Sequence, residues 1–164
     1  MNALPLQDRA ILDRQLELAC DASRVDIVTY GFGAGTAAIN LLYKARRARV
    51  IIGGILDSSK AQGLAQLTQW PSREPPRIRY LEGCHSKLFV ACPGKITVAI
   101  IGSMNLGAGA TFETAVELHG KPAEFFASLF NSYWRRAEPV EPLDLETISK
   151  TLESSEFMTG KHFP

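Results

Sequence analysis

The chain has 164 residues, 46% of them hydrophobic and 21% charged, enough to enclose one core and best read as a single domain. Its formal charge of +1 and pI near 7.7 exclude a generally basic nucleic-acid binder, so any such contact must come from a local patch. No apolar run approaches the roughly 20 residues that span a bilayer, and the start from Met1 to Arg9 has no cationic segment leading into an apolar one. No membrane partner is expected, and a cytoplasmic location is. The three cysteines, Cys20, Cys84 and Cys92, are odd in number and lack C-x-x-C spacing, which suits reduced thiols. Cys84, His85 and Cys92 supply too few ligands for a closed metal site, so no metal or other cofactor is expected.

In chain order, Leu6 to Ala22 places Ile11, Leu12, Gln15, Leu16 and Ala19 at helical spacing with charges between them, which predicts a helix covering one face of a sheet. Val25 to Tyr30 is rich in β-branched residues and ends at glycines, a strand, and Thr36 to Ala48 favours helix. Val50 to Leu56 is continuously apolar, as in a strand buried on both faces, and Ser58 or Ser59 can cap a helix running to about Gln69. The expected order is therefore βαβα. Pro71 to Pro76 breaks the periodicity as a loop, and Arg77 to Leu81 reads as another short strand.

Beyond His85 the pattern changes to three strands, Lys87 to Ala91, Thr97 to Gly102 and Thr114 to Leu118, joined by Pro93-Gly94 and a glycine-rich stretch from Leu106 to Ala110. Pro122 to Arg136 is an amphipathic helix carrying Phe125, Phe126, Leu129, Phe130, Tyr133 and Trp134, and a weaker helix is expected from Asp144 to Leu152. The expected division is a domain over residues 1–138 followed by a C-terminal helix and tail over 139–164. The chain contains no internal repeat.

Two segments carry chemistry. His85-Ser-Lys87 places an imidazole and an ammonium two residues apart, on one side of an extended chain, as a pair suited to phosphate. Gly102-Ser-Met-Asn105 ends a strand in a tight turn that presents a hydroxyl and a carboxamide beside backbone amides. Glu113 and Glu117 follow on the next strand, either one able to hold a histidine in a single tautomer.

His-x-Lys, then Gly-Ser-x-Asn after an apolar strand, then an acidic residue opening the next strand, resembles the half-site motif of the phospholipase D superfamily. The motif itself spans Cys84 to Leu118, and the flanking elements from Val25 to Arg136 are similar to that family's domain. The resemblance implies an α/β fold, a mixed sheet flanked by helices on both faces, with one motif per chain. It implies a metal-independent phosphodiesterase, a nuclease above all, in which His85 attacks phosphorus while His85 of a second copy protonates the leaving oxygen. Lys87, Ser103 and Asn105 would donate to the phosphate oxygens, and Glu113, with Glu117 as the alternative, would orient the histidine. Because one motif is present, the resemblance also implies a homodimer with the site on its two-fold axis. One departure stands out: the family's Asp falls on Cys92 here, which removes a supporting charge but leaves the phosphate ligands in place.

Lys44, Arg46, Arg47, Arg49 and Arg73, with Arg77 and Arg79, are the candidate contacts to a DNA or RNA backbone. Three other readings compete. Gly33-Ala-Gly35-Thr-Ala-Ala38 followed by Asp57 satisfies the dinucleotide-binding pattern, but a chain of this length leaves no room for a substrate domain. A DNA-binding or assembly module that keeps the fold without catalysis is motivated by Cys92. Phospholipid or small-diester hydrolysis is the third, against which no basic amphipathic membrane helix is present. His119 and His162 read as surface residues, and Trp134 as core or dimer contact.

Overall fold

The computed structural model describes residues 3–31, 36–54, 76–106 and 113–140. Expectations for Gly33, Gly35, Asp57, the helix from Ser58 to Gln69, Arg73, the helix from Asp144 to Leu152, His162 and the tail lie outside the described residues. The elements are β1 (Leu4–Gln7), α1 (Arg9–Asp21), β2 (Ala22–Thr29), α2 (Thr36–Lys44), β3 (Ala48–Ile52), β4 (Arg77–Tyr80), β5 (Leu88–Pro93), β6 (Val98–Gly102), β7 (Thr114–His119), α3 (Lys121–Arg136) and β8 (Glu138–Val140).

The strands form one mixed sheet in the order β1-β7-β6-β5-β2-β3-β4-β8. β2, β3 and β4 run parallel, and the remaining neighbours pair antiparallel. Alternation along each strand divides the core into two layers. Val25, Ile27, Val50, Ile52, Phe89, Ala91, Val98 and Ile100 face α1 and α2. Val28, Ile51, Leu88, Val90 and Ala99 face α3. Both sides of the central strands are thus covered, which is why β3 and β5 read as nearly unbroken apolar runs. Each fully buried Val, Leu, Ile or Phe stabilises the fold by about 1.5–3 kcal/mol.

The helices follow their apolar spacing. α1 buries Ile11, Gln15, Leu18 and Ala19, one face at helical period. α3 buries Ala123 and Phe130 and packs Phe126, Tyr133 and Trp134 partly against the same layer. It starts after Gly120, whose φ of 63° suits a residue without Cβ. Arg135 and Arg136 end it, where cations complement the carboxyl end of a helix.

Three sequence expectations shift. Leu6 and Gln7 belong to an edge strand rather than to the first helix, because β1 pairs with β7 through Leu4↔Glu117 to Gln7↔Thr114. The second helix stops at Lys44, and the chain turns so that Ala48 and Arg49 already lie in β3. Glu138 to Val140 add a strand alongside β4, so the expected division after residue 138 falls inside β8. Among the described residues no helix is long and apolar enough to cross a membrane.

Candidate active site

The motif residues gather at one edge of the sheet. β2 and β3 finish there, β6 ends there, and β5 and β7 begin there, as their registers require. The edge is closed by short backbone contacts: the Gly53 N–H donates to the Thr29 carbonyl at 2.9 Å, and the Gly54 N–H to the Tyr30 carbonyl at 2.7 Å. A Cβ on Gly53 would stand 1.8 Å from the Cys84 carbonyl oxygen. Only glycine there lets the segment that carries His85 cross the end of β3.

His85 is exposed and Lys87 half-buried, both in the irregular segment just before β5. The Lys87 Nζ donates to the His85 carbonyl at 2.8 Å, so the ammonium folds back over the motif. The imidazole lies nearly flat on the Tyr30 ring, with centroids 3.9 Å apart and planes 19° from parallel. Lys87 Nζ sits 5.5 Å from the centre of the same ring.

Asn105 reaches this cluster from the turn after β6. Its Oδ1 accepts from the N–H of Tyr30 at 3.2 Å and of Gly31 at 3.0 Å. The carboxamide thus staples the turn that leaves β2, and its NH2 end is the part left to meet an anion. Beneath it the Thr29 hydroxyl donates to the Gly31 carbonyl at 2.5 Å and accepts from the Leu106 N–H at 3.0 Å. Ser103 and Glu113 form the other half of the rim. The Ser103 hydroxyl donates to the Glu113 carboxylate and accepts from the Thr114 N–H. Glu113 is fixed by its backbone, whose N–H donates to Asp8 Oδ1 at 2.9 Å and whose carbonyl accepts from the Asp8 N–H at 3.0 Å. The carboxylate expected to orient His85 is therefore bonded to Ser103.

Glu117, the alternative orienting group, has a structural role instead. It is buried, takes a two-pronged hydrogen bond from Arg14 and contacts His119 Nε2 at 2.8 Å. The Arg14 guanidinium holds its carboxyl below the usual carboxylate range. His119, read from sequence as a plain surface residue, is half-exposed and tied to this pair.

Of the expected basic contacts, those among the described residues, Lys44, Arg46, Arg47, Arg49, Arg77 and Arg79, are not assembled around the motif. The helix of a βαβ crossover starts at the carboxyl end of one strand and runs back, so it returns the chain to the opposite edge. Lys44, Arg46 and Arg47 accordingly lie at the amino end of β3, where the Arg47 carbonyl accepts from the Val25 N–H. From Val25 to Tyr30 the strand spans about 16 Å, so these cations and His85 occupy opposite rims. Arg77, paired in register with Arg49, starts β4 at that same far end. Arg49 is committed internally: it makes a bidentate pair with Asp26 at 2.7 Å, bonds Asn131 at 3.0 Å, and lies over Phe130 and Trp134. Arg79 donates to the Trp134 and Ala137 carbonyls, closing the end of α3.

Sequence reading missed Tyr30 as part of the site. Its signal was positional, an aromatic residue at the carboxyl end of a strand just before a glycine turn, where ligand sites of α/β sheets collect. Among the described residues no cluster of His, Cys, Asp and Glu has the makings of a metal site.

No family model matches the chain, and its sequence matches no curated protein. Solved structures do match. Nuc from Salmonella typhimurium, a phospholipase D family member, superposes with a TM-score of 0.67 at 14% identity, over 85% of this chain and 99% of that one. NucT from Helicobacter pylori gives 0.65 at 12% identity with the same coverage. A yeast tyrosyl-DNA phosphodiesterase gives 0.52 at 14% identity, over 93% of this chain and 41% of that one. Superposition over 85% of this chain and 99% of both Nuc and NucT makes the architecture plain: this chain has the fold of the phospholipase D superfamily.

Proposed function

We propose that the chain is a phosphodiester hydrolase acting on nucleic acid through a covalent intermediate on His85, in a site completed by a second copy of the chain. The observation that carries this reading is the pairing of His85 and Lys87 on the Tyr30 ring, at the rim where Ser103 and Asn105 also converge. A neutral imidazole is a competent nucleophile near pH 7, and an imidazolium a competent acid. A ring nitrogen of His85 attacks phosphorus, forming a P–N bond as the P–O bond to the leaving strand breaks. The imidazolium of the second copy's His85 gives its proton to the departing oxygen. That histidine, now neutral, takes a proton from water as the water oxygen attacks phosphorus and the P–N bond breaks. Lys87, Ser103 and the Asn105 NH2 supply donors to the phosphate oxygens, on which charge builds during attack.

The position of Cys92 supports catalysis over a non-catalytic module. It lies near the far end of β5, five residues beyond Lys87 and so about 16 Å along the strand. Its Sγ contacts the Thr97 hydroxyl at 3.8 Å across the hairpin. The departure from the family motif thus lies away from His85, in the hairpin between β5 and β6. Nuc and NucT, which match over 99% of their own chains, and a neighbour named a tyrosyl-DNA phosphodiesterase support a diester on nucleic acid as substrate.

The test is hydrolysis of plasmid DNA and of a chromogenic phosphodiester in excess EDTA by wild type and His85→Ala. The expected result is EDTA-resistant cleavage that falls below about a thousandth in the variant, the scale of losing a covalent nucleophile. Cleavage by neither protein, or by both equally, overturns the reading. Sedimentation of the wild type tests the dimer, and a monomer at assay concentration removes the shared site.

A further inference from the structure

Among the described residues, no hydrogen-bonded partner fixes the plane of the His85 ring, the nucleophile proposed above. Glu113 is bonded to Ser103, and Lys87 takes the carbonyl of His85 rather than its imidazole. What meets the imidazole is the face of Tyr30, 3.9 Å away and nearly parallel. That face is itself held. The Tyr30 N–H is bound by Asn105 at 3.2 Å, and its carbonyl accepts from Gly54 at 2.7 Å. A Cβ on Gly54 would come within 2.9 Å of the ring carbons Cε1 and Cζ, so the end of β3 is glycine where the ring needs room.

We infer that Tyr30 is the positioning residue of the site, setting the plane of the His85 imidazole and gathering the Lys87 ammonium beside it on one aromatic surface. This rests on the phosphodiesterase reading and adds to it the element that aims the nucleophile. An exposed histidine without a partner samples several rotamers, and most of them point its nitrogens away from a bound phosphate. A flat contact with a fixed ring confines it to a narrow set of directions. The negative face of the phenol ring also attracts a cation, so the Lys87 ammonium gains a resting place when the phosphate is absent. Asn105 then has two connected tasks: its oxygen holds Tyr30 in place and its NH2 meets the phosphate, which couples ligand binding to the placement of the histidine.

The experiment compares wild type with Tyr30→Phe, Tyr30→Leu and Tyr30→Met, the last an unbranched, flexible chain that reaches further into the space the ring leaves, in case the leucine variant does not fold. kcat and KM are measured on the chromogenic diester, and the ring protons of His85 are followed by NMR. Tyr30→Leu and Tyr30→Met should lower kcat about tenfold with KM changed less than about twofold, since aim rather than affinity is lost. They should also lose the upfield ring-current displacement of the His85 protons. Tyr30→Phe, which keeps the ring, should restore both. A folded leucine or methionine variant at the wild-type kcat overturns the inference, as does a phenylalanine variant as impaired as those two. A wild type that cleaves neither substrate sinks the phosphodiesterase reading and the positioning role with it, whereas an active wild type matched by Tyr30→Leu sinks only the latter.

Discussion

Arg14 on α1 and Glu117 on β7, 103 residues apart in the chain, form a two-pronged pair with both N···O distances at 2.8 Å. The carboxylate side chain is 2% exposed, and the guanidinium also reaches Glu17 at 2.7 Å. This pair ties α1 to the strand beside the edge strand β1. Removing Arg14 leaves a buried carboxylate without its main partner, so Arg14→Ala should cost about 3 kcal/mol, read by urea unfolding at neutral pH. The pH dependence has a definite sign. Hydrogen bonding to Arg14 holds the Glu117 carboxyl below its ordinary range, against the desolvation that would raise it. The folded chain therefore takes up that proton less readily than the unfolded one. The stabilisation is complete above the ordinary carboxylate range and is lost as pH falls through the depressed folded value. Glu117→Gln should flatten that acid-side loss, and an unchanged slope would refute the assignment.

Arg49 should behave as a core residue and not as a DNA contact. Its pair with Asp26 is buried beneath α3, with side chains 17% and 5% exposed. Arg49→Ala should destabilise by about 2 kcal/mol, because the buried Asp26 loses its bidentate partner and keeps only the half-exposed Arg24 at 3.1 Å, and because the stacking on Phe130 and Trp134 is lost. The salt dependence of DNA binding, measured on the folded fraction, should keep its slope. A slope shallower by about one would make Arg49 a phosphate contact after all.

Lys44 and Arg46 sit at the rim opposite His85. The double variant Lys44→Ala/Arg46→Ala should leave hydrolysis of the chromogenic diester unchanged. It should also leave kcat/KM on a short oligonucleotide within about twofold, a free-energy effect of the size usual for surface substitutions. A large rise in KM for the oligonucleotide would show that nucleic acid wraps from one rim of the sheet to the other.

Cys92→Asp restores the family's residue at a position remote from the imidazole. It should leave kcat within about twofold of wild type, because a change that alters only a hairpin contact has no route to the reacting phosphate. A tenfold gain in kcat would instead show that the substitution had weakened the enzyme.

The motif gathered at the rim was readable because its members cluster in short segments: His85 and Lys87 two residues apart, Ser103 and Asn105 two apart, Glu113 soon after. Central strands were readable for a similar local reason, since burial on both faces leaves continuous apolar runs such as Val50 to Ile52. Edge strands left no such trace. β1 and β8 are short and mostly exposed, and each exists through backbone pairing with a partner far along the chain, which side-chain patterning does not encode.

Amino-acid order alone thus determined the residue types at the rim, the alternation of helix and strand and the likeness to one superfamily. Tertiary structure decided which of those residues share an edge. The return of α2 carried Lys44 and Arg46 to the far rim, and the parallel register of β2 and β3 set Arg49 opposite Asp26. The crossing of the His85 segment over Gly53, with Gly54 leaving room for the Tyr30 ring, brought the imidazole onto Tyr30. Each of these depends on contacts between segments remote in sequence, and a side chain's spacing along the chain says nothing about the direction in which the backbone later returns.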